Sequence, residues 1–586
     1  MRGTFNSARA GKEPRRSFLK KAGSVVALAV SGRIFAKKRR EKPNVILIMT
    51  DDQGYGDLRC HGNVRIRTPN LDRLYRESVR LTNYHVSPTC SPTRAALLTG
   101  HYSNRAGVWH TIMGRSILPR DEITMAQIFA LNGYHTGIFG KWHLGDNFPS
   151  RPQDKGFQEC VVHGGGGIGQ TPDWWGNDYF DDTYFKNGRP HRFTGYCTDV
   201  FFREALNFIE RNKDGPFFCY LPTNAPHGPY RVPERYASHY RKADVPSPNF
   251  YGMIENIDEN VGRLLSYLRN FGLEENTIVI FTTDNGTAAG ITRRGGRVLG
   301  YNAGMRGKKG SEYDGGHRVP FFIRWPAGGV TGGRDIDRLT AHIDVFPTLI
   351  DLCGLKVPDG LDFDGKSLTS LIRGESSDWP DRVVVVDSQR IDHPRKWRKC
   401  SVMTERWRLV NGEELYDIRK DPSQRENVAR DYPEVVKRLR RAYEQWWERV
   451  SERFDRYARI VLGDPAENPS RLTCHDWHGP RVPWSQSMIR AGMVANGFWA
   501  VEIAREGLYE FTLRWYPKEE DKVILAEKAR IKIGKFEETK TIPKGACEVK
   551  FRAKLSAGKT ELRTWFIEKN GRSRGAYFVY VERIRR

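Results

Sequence analysis

The chain has 586 residues, more than one ordinary core accommodates and enough for two or three domains. Hydrophobic residues make up 39% and aromatics 12%, so a large core is possible and disorder is not the default. A net charge of +25 raises the question of nucleic acid, but residues 1–42 alone hold 13 Lys/Arg against Glu13 and Glu41. The rest is spread thinly, as ordinary solvated charge or as a diffuse basic surface that favours anionic ligands, and no nucleic-acid stripe is expected.

At the N-terminus, Arg15-Arg16-Ser17-Phe18-Leu19-Lys20 resembles the twin-arginine export motif, and an apolar stretch from Ala22 to Ala36 follows. That stretch is short and carries Arg33, so it is a poor membrane span, and no other segment is apolar enough for one. Residues 1–42 therefore read as a targeting segment for the twin-arginine export machinery, which carries folded proteins to the periplasm or beyond. The bland alternative is a basic tail. No clean Ala-x-Ala cleavage site is present.

Next come the elements of residues 43–380. Val45-Ile46-Leu47-Ile48 is a buried-strand run ending at Thr50-Asp51-Asp52. Similar runs recur at Thr136–Phe139, before Gly140-Lys141-Trp142-His143, and at Phe217–Leu221, before Pro226-His227. A fourth, Thr277–Phe281, precedes Asp284-Asn285-Gly286. Helical patterns lie between them at Leu71–Val79, Ala126–Leu131 and Ile254–Leu268. Strands alternating with helices predict an α/β domain with a mainly parallel sheet. Ligands of such sheets sit beyond the carboxyl ends of the strands, where all four runs carry polar residues.

Residues 381–464 read as a smaller α+β subdomain. Short strands at Val383–Val386 and Trp407–Val410 precede Glu414-Leu415-Tyr416-Asp417, and a helix runs from Pro433 to about Val450. Residues 465–586 show short strands near Phe498–Ile503, Leu508–Trp515, Ala529–Ile533, Val549–Leu555, Leu562–Ile567 and Ala576–Val581, the spacing of an antiparallel β-sandwich. The nine cysteines form no CxxC pair, which argues against zinc and a disulfide scaffold and leaves one or two disulfides open.

The sharpest segment is Cys90-Ser91-Pro92-Thr93-Arg94-Ala95-Ala96-Leu97-Leu98-Thr99-Gly100. Pro92 suits a helix start, which puts Cys90 at a helix N-terminus, where backbone amides favour anions. Arg94, one turn on, is placed to reach the same anion. Spacing alone leaves an inert buried cysteine as an equal alternative. Asp51, Asp52, Asp284 and Asn285 offer only oxygen ligands, which suits a hard cation such as calcium or magnesium, although each pair alone also fits a turn. His143 and His227 are acid–base candidates, because histidine titrates near neutral pH.

The Cys90 segment matches the signature Cys-x-Pro-Ser/Thr-Arg followed by Leu-x-Thr-Gly of the type I sulfatases. The resemblance extends from about Pro43 to about Leu439, through Gly140-Lys141-Trp142-His143-Leu144-Gly145, Ala225-Pro226-His227, Gly307-Lys308-Lys309-Gly310 and Gly315-Gly316-His317-Arg318-Val319-Pro320. It implies an alkaline-phosphatase-like α/β fold and oxidation of Cys90 to formylglycine by a maturation enzyme. It also implies one calcium or magnesium ion held by Asp51, Asp52, Asp284, Asn285 and the modified position 90. Arg94, Lys141 and Lys309 then surround the sulfuryl oxygens, His227 assists the leaving group and His143 removes a proton when sulfate departs. Lys308 reads as solvated. In the implied cycle, one hydroxyl of the hydrated aldehyde attacks sulfur and the second expels sulfate.

The expected activity is hydrolysis of aryl sulfates or sulfated carbohydrates. Two alternatives stand beside it: a phosphate or phosphonate ester hydrolase of the same fold, and a non-catalytic sulfated-glycan-binding protein. Within an insertion, His163-Gly164-Gly165-Gly166-Gly167 and Asp173-Trp174-Trp175-Gly176 are either substrate-binding or packed loop.

Overall fold

The computed structural model describes residues 42–375 and 379–584, so the twin-arginine segment lies outside the described residues. Ten strands form the main sheet: β1 (Asn44–Thr50), β2 (Val79–Leu81), β3 (His135–Lys141), β4 (Glu159–His163), β5 (Thr183–Lys186), β6 (Arg189–Arg192), β7 (Phe217–Pro222), β8 (Thr277–Thr283), β9 (Phe321–Arg324) and β10 (Asp335–Ile336). Their spatial order is β10-β2-β9-β8-β1-β7-β3-β4-β5-β6. The central five, β8-β1-β7-β3-β4, run parallel. β9 and β5 pair antiparallel on either side, so the sheet is mixed and mainly parallel at its centre.

The four apolar runs are β1, β3, β7 and β8, while β4 escaped sequence reading. Its Glu159-Cys160-Val161-Val162-His163 is too short and polar-ended to stand out, and it is a strand because β3 offers a partner.

Alternation along β1 divides the core. Val45, Leu47 and Met49 face one layer with Leu97, Leu98, Phe129 and Phe346, carried by α2 (Cys90–Thr99), α3 (Met125–Leu131) and α6 (Val345–Cys353). Ile46 and Ile48 face the other, with Leu71, Phe201 and Ile257 on α1 (Pro69–Glu77), α4 (Cys197–Asn212) and α5 (Pro248–Asn270). A strand buried on both faces must read as an unbroken apolar run, which is why β1 was legible. α2 starts at Cys90, two residues before Pro92, and all ten of its residues are buried. Gly100 ends it in the left-handed region at φ 72°.

A four-stranded antiparallel sheet follows, of Val384–Asp387, Cys400–Met403, Trp407–Val410 and Glu414–Asp417, with the helix Pro433–Val450 against it. Arg408 on its third strand reaches into the main lobe. Its Nε donates to Asp314 Oδ1 at 3.1 Å and its Nη2 to Asn83 Oδ1 at 2.9 Å, all buried.

Residues beyond about 459 form two further sheets over one apolar core that includes Trp477, Trp499, Phe511 and Phe566. The pairing is antiparallel except at Ile460–Leu462, which lies parallel to Phe498–Ile503. Phe536–Thr541, charged at half its positions, was not legible; it is a strand through pairing with Lys528–Ile533. All nine cysteines are free thiols. Among the described residues no helix is long and apolar enough to cross a membrane.

Removing Arg408 strands the Asp314 carboxylate in the interior. Arg408→Ala is expected to cost about 3–5 kcal/mol, seen as a lowered midpoint in chemical denaturation followed by fluorescence.

Candidate active site

The parallel strands end at one place, and the polar residues beyond them converge there. Asp51 and Asp52 follow β1, Lys141 closes β3, and Asp284 and Asn285 follow β8. His227 lies in the turn after β7, and Cys90 opens α2. Backbone bonds tie the ends together: Asp284 N donates to Thr50 O at 3.1 Å, Asp51 N to Ala225 O at 3.1 Å, and Asp52 N to the Asp284 side chain at 3.1 Å.

The charges pair one to one. Lys141 Nζ lies 2.6 Å from Asp51 Oδ2, Lys309 Nζ 2.5 Å from Asp52 Oδ1, and Arg94 Nη2 2.7 Å from Asp284 Oδ2. Arg94 also donates through Nη1 to the Lys141 carbonyl at 2.9 Å, so it fixes both strand ends. All of these side chains are fully buried except Asp52, almost so, and Lys309, one-fifth exposed. Burial alone would raise the Asp52 pKa, but Lys309, His227 and Lys141 overcome it and hold the carboxylate well below its usual range. Burial and the neighbouring Asp51 charge push Asp284 the other way, against Arg94. Lys308 is exposed.

Two oxygens in this cluster lack any partner although buried: Asp51 Oδ1 and Asn285 Oδ1. Ligand atoms of Asp51, Asp52 and Cys90 lie within 4.8 Å of one another. Unsatisfied buried acceptors are costly, and convergent carboxylate and amide oxygens are the donor set of a hard cation. The residues present therefore fit a divalent ion held by Asp51, Asp52, Asp284 and Asn285. A second cluster, His85, Asp314 and His317, does not fit one. The Arg408 guanidinium sits on both His85 and Asp314, and the two imidazoles bond each other at 2.9 Å.

The two histidines are held by carbonyls. His143, at φ 59°, places Nε2 2.9 Å from Thr111 O, and His227 places Nδ1 2.7 Å from Gly228 O. A carbonyl only accepts, so each of these ring nitrogens carries the proton. That leaves His143 Nδ1 and His227 Nε2 as bare nitrogens, and His227 Nε2 is 3.9 Å from Asp52. Burial, with Lys309 next, lowers the His227 pKa to about 3; burial, with Lys141 next, puts His143 well below its usual value. Burial raises the Cys90 thiol to about 11 despite Lys141 and Lys309.

The glycine-rich insertion closes the site. A Cβ on Gly166 would meet His143 at 2.2 Å, and one on Gly167 would meet His227 at 3.1 Å. Beside His143 only bare backbone fits, and beside His227 a side chain would be tight. Trp175, by contrast, is buried against Tyr516 and Phe578 and serves packing, so it does not stack on a ligand. Sequence reading missed His475, whose ring lies 6.2 Å from that of His143, with Nδ1 on Asp476 and Nε2 unpartnered. No local signal marks it, because it reaches the site from a separate lobe.

Comparison with known proteins gives a consistent picture. Residues 43–355 match the sulfatase family model, and residues 308–449 match that of the N-sulphoglucosamine sulphohydrolase C-terminal region. An N-acetylgalactosamine-6-O-sulfatase of Bacteroides thetaiotaomicron is 30% identical over 487 residues, spanning 68% of this chain and 92% of that protein. Mouse steryl-sulfatase is 30% identical over 459 residues, covering 64% of this chain and 70% of its own length. Among solved structures, Ps i-CgsB in complex with k-i-k-neocarrahexaose superposes with a TM-score of 0.63 at 28% identity, over 71% of this chain and 95% of that one.

Metal stripping tests the oxygen cluster. Adding back a divalent ion at about 100 times its Kd should stabilise the protein by roughly 2.7 kcal/mol. The melting temperature should rise accordingly, and Asn285→Ala should abolish most of that rise.

Proposed function

The chain belongs to the sulfatase family and hydrolyses sulfate esters, and from that premise we propose that Cys90, oxidised to formylglycine, carries the nucleophilic oxygen beside a calcium ion held by Asp51, Asp52, Asp284 and Asn285. The observation that carries this reading is the buried meeting of Cys90 with Asp51 and Asp52, next to two oxygens with no partner. As a plain thiol, Cys90 is a poor nucleophile at neutral pH, because its pKa of about 11 leaves little thiolate. Once hydrated, the aldehyde supplies one hydroxyl for attack on sulfur and a second for release of sulfate. The metal supplies positive charge to the sulfuryl oxygens and makes a nearby hydroxyl more acidic.

The chain's own residues do the rest. Lys141 and Lys309 face Asp51 and Asp52 in the free protein and donate to the anionic ester when it binds. Arg94 holds Asp284 and the Lys141 backbone in place. His227 turns Nε2 toward the ester oxygen; the negative charge of the arriving ester opposes Lys309 and raises the proton affinity of the imidazole, which takes a proton from water and passes it to the leaving alcohol. His143, its Nε2 committed to Thr111, offers Nδ1 as the acceptor when sulfate is released.

The substrate we propose is a sulfated carbohydrate. Support comes from the carbohydrate named for the Bacteroides relative and from the saccharide held by the Ps i-CgsB neighbour. Arg15-Arg16 supports export by the twin-arginine route to the periplasm or beyond, after a cytoplasmic maturation enzyme has acted on Cys90.

Mass spectrometry of the peptide spanning Cys90, from a host with the maturation enzyme, should show formylglycine. Cys90→Ser, made where only cysteine is modified, should lose at least about a thousandfold in multiple turnover. Assays with matched sulfate and phosphate esters should favour sulfate. An unaltered thiol in fully active enzyme sinks the proposal.

A further inference from the structure

Beside Lys309 the surface carries a groove of about 520 Å³, within the range of ligand sites. Four cations line it: Arg293, Arg306, Lys308 and Arg425. No carboxylate does; the other polar side chains on its wall include those of Asn302 and Ser423. The cations come from three separate stretches of chain. Arg293 stands on an exposed hairpin of Ile291–Arg294 and Arg297–Gly300, Arg306 and Lys308 on the loop before Lys309, and Arg425 on the turn after the four-stranded sheet. Convergence by folding distinguishes this cluster from a solvated run of like charge.

The pairing state is also unusual. Most arginines here that meet a neighbour meet a carboxylate, whereas the side chains of Arg293, Lys308 and Arg425 are exposed and engage no protein partner. Arg306 is braced: its guanidinium lies 3.6 Å from the centre of the Tyr313 ring, and Nη1 donates to Tyr416 Oη and Gln424 O at 3.0 Å each. Its Nε and Nη2 remain free of protein partners. A fork fixed by stacking, with donors left over, is pre-organised for an oxyanion. The Glu414 carboxylate lies off the groove wall, 3.9 Å from Arg306 Nη1; one carboxylate against four cations leaves a net repulsion that a bound anion relieves.

The groove adjoins the reaction centre. Lys308 and Lys309 are neighbours; Lys308 faces the groove while Lys309 reaches Asp52. We propose that the groove is a second anion subsite, which holds a sulfate group on the sugar next to the one undergoing hydrolysis, so that the preferred substrate is a glycan sulfated on successive units. The proposal rests on the sulfated-carbohydrate reading above and narrows it. The groove selects by charge number, because a singly sulfated ligand fills the catalytic position and gains nothing from the four cations.

Short dextran sulfate serves as the probe, with unsulfated dextran as its control. Two measurements are made on matured enzyme: direct calorimetric binding, and inhibition of hydrolysis of a small aryl sulfate. Arg293→Ser/Arg425→Ser should weaken dextran sulfate in both by about tenfold or more, the scale of two charge-assisted contacts. The double variant should also bind with a shallower dependence on salt, while kcat and KM for the aryl sulfate stay unchanged. Arg189→Ser/Arg192→Ser, which removes two exposed cations on β6, controls for general charge. Unchanged dextran sulfate affinity in the groove variant, or an equal loss in the β6 control, overturns the subsite. Absence of aryl sulfate turnover by the parent enzyme strikes the function proposal instead, and the calorimetric comparison still decides the groove.

Discussion

Everything at the active centre depends on taking charge out of water in matched amounts. Three carboxylates, Asp51, Asp52 and Asp284, meet three cations, Lys141, Lys309 and Arg94, at distances of 2.5 to 2.7 Å. A buried unpaired charge costs several kcal/mol, so each partner is obligatory for the others. Pairing still leaves two acceptor oxygens unsatisfied, and that unmet demand is why the cluster fits a cation as well as a salt-bridge network. A centre with alternative partners for its lysines can release them to an incoming anion.

The sheet makes this arrangement rigid. Parallel strands bring Asp51, Lys141 and Asp284 to the same edge, because their carboxyl ends are adjacent in the order β8-β1-β7-β3. Arg94 locks two of those ends while lying on a fully buried helix, so it has no freedom to drift. The imidazoles are fixed from behind by the Thr111 and Gly228 carbonyls and from the side by bare glycine backbone. Orientation of this kind is where much of an enzyme's rate advantage resides.

The later segments do more than cover the main lobe. Arg408 carries a guanidinium from the four-stranded sheet to the buried Asp314 of the main lobe, and Trp175 anchors the glycine-rich insertion to the C-terminal sheets. His475 of the C-terminal segment lies beside His143. These lobes therefore bear on the shape of the site, and the basic groove at Arg306 and Arg425 exists only where two of them meet.

The sequence by itself determined the α/β class, because strands buried on both faces must be continuous apolar runs and β1, β3, β7 and β8 are such runs. It also placed Asp51, His227 and Asp284 past strand ends, Lys141 at one, and Cys90 at the head of a helix, since these are local relations between a residue and its own element. Tertiary structure alone decided which lysine meets which aspartate, which ring nitrogen is bare, and that Gly166 must lack a Cβ. It alone made Phe536–Thr541 and Glu159–His163 strands, for their stability comes from a neighbour and not from their own composition. Contacts such as His475 with His143 join residues more than three hundred positions apart, and no local pattern encodes a distance that only packing sets.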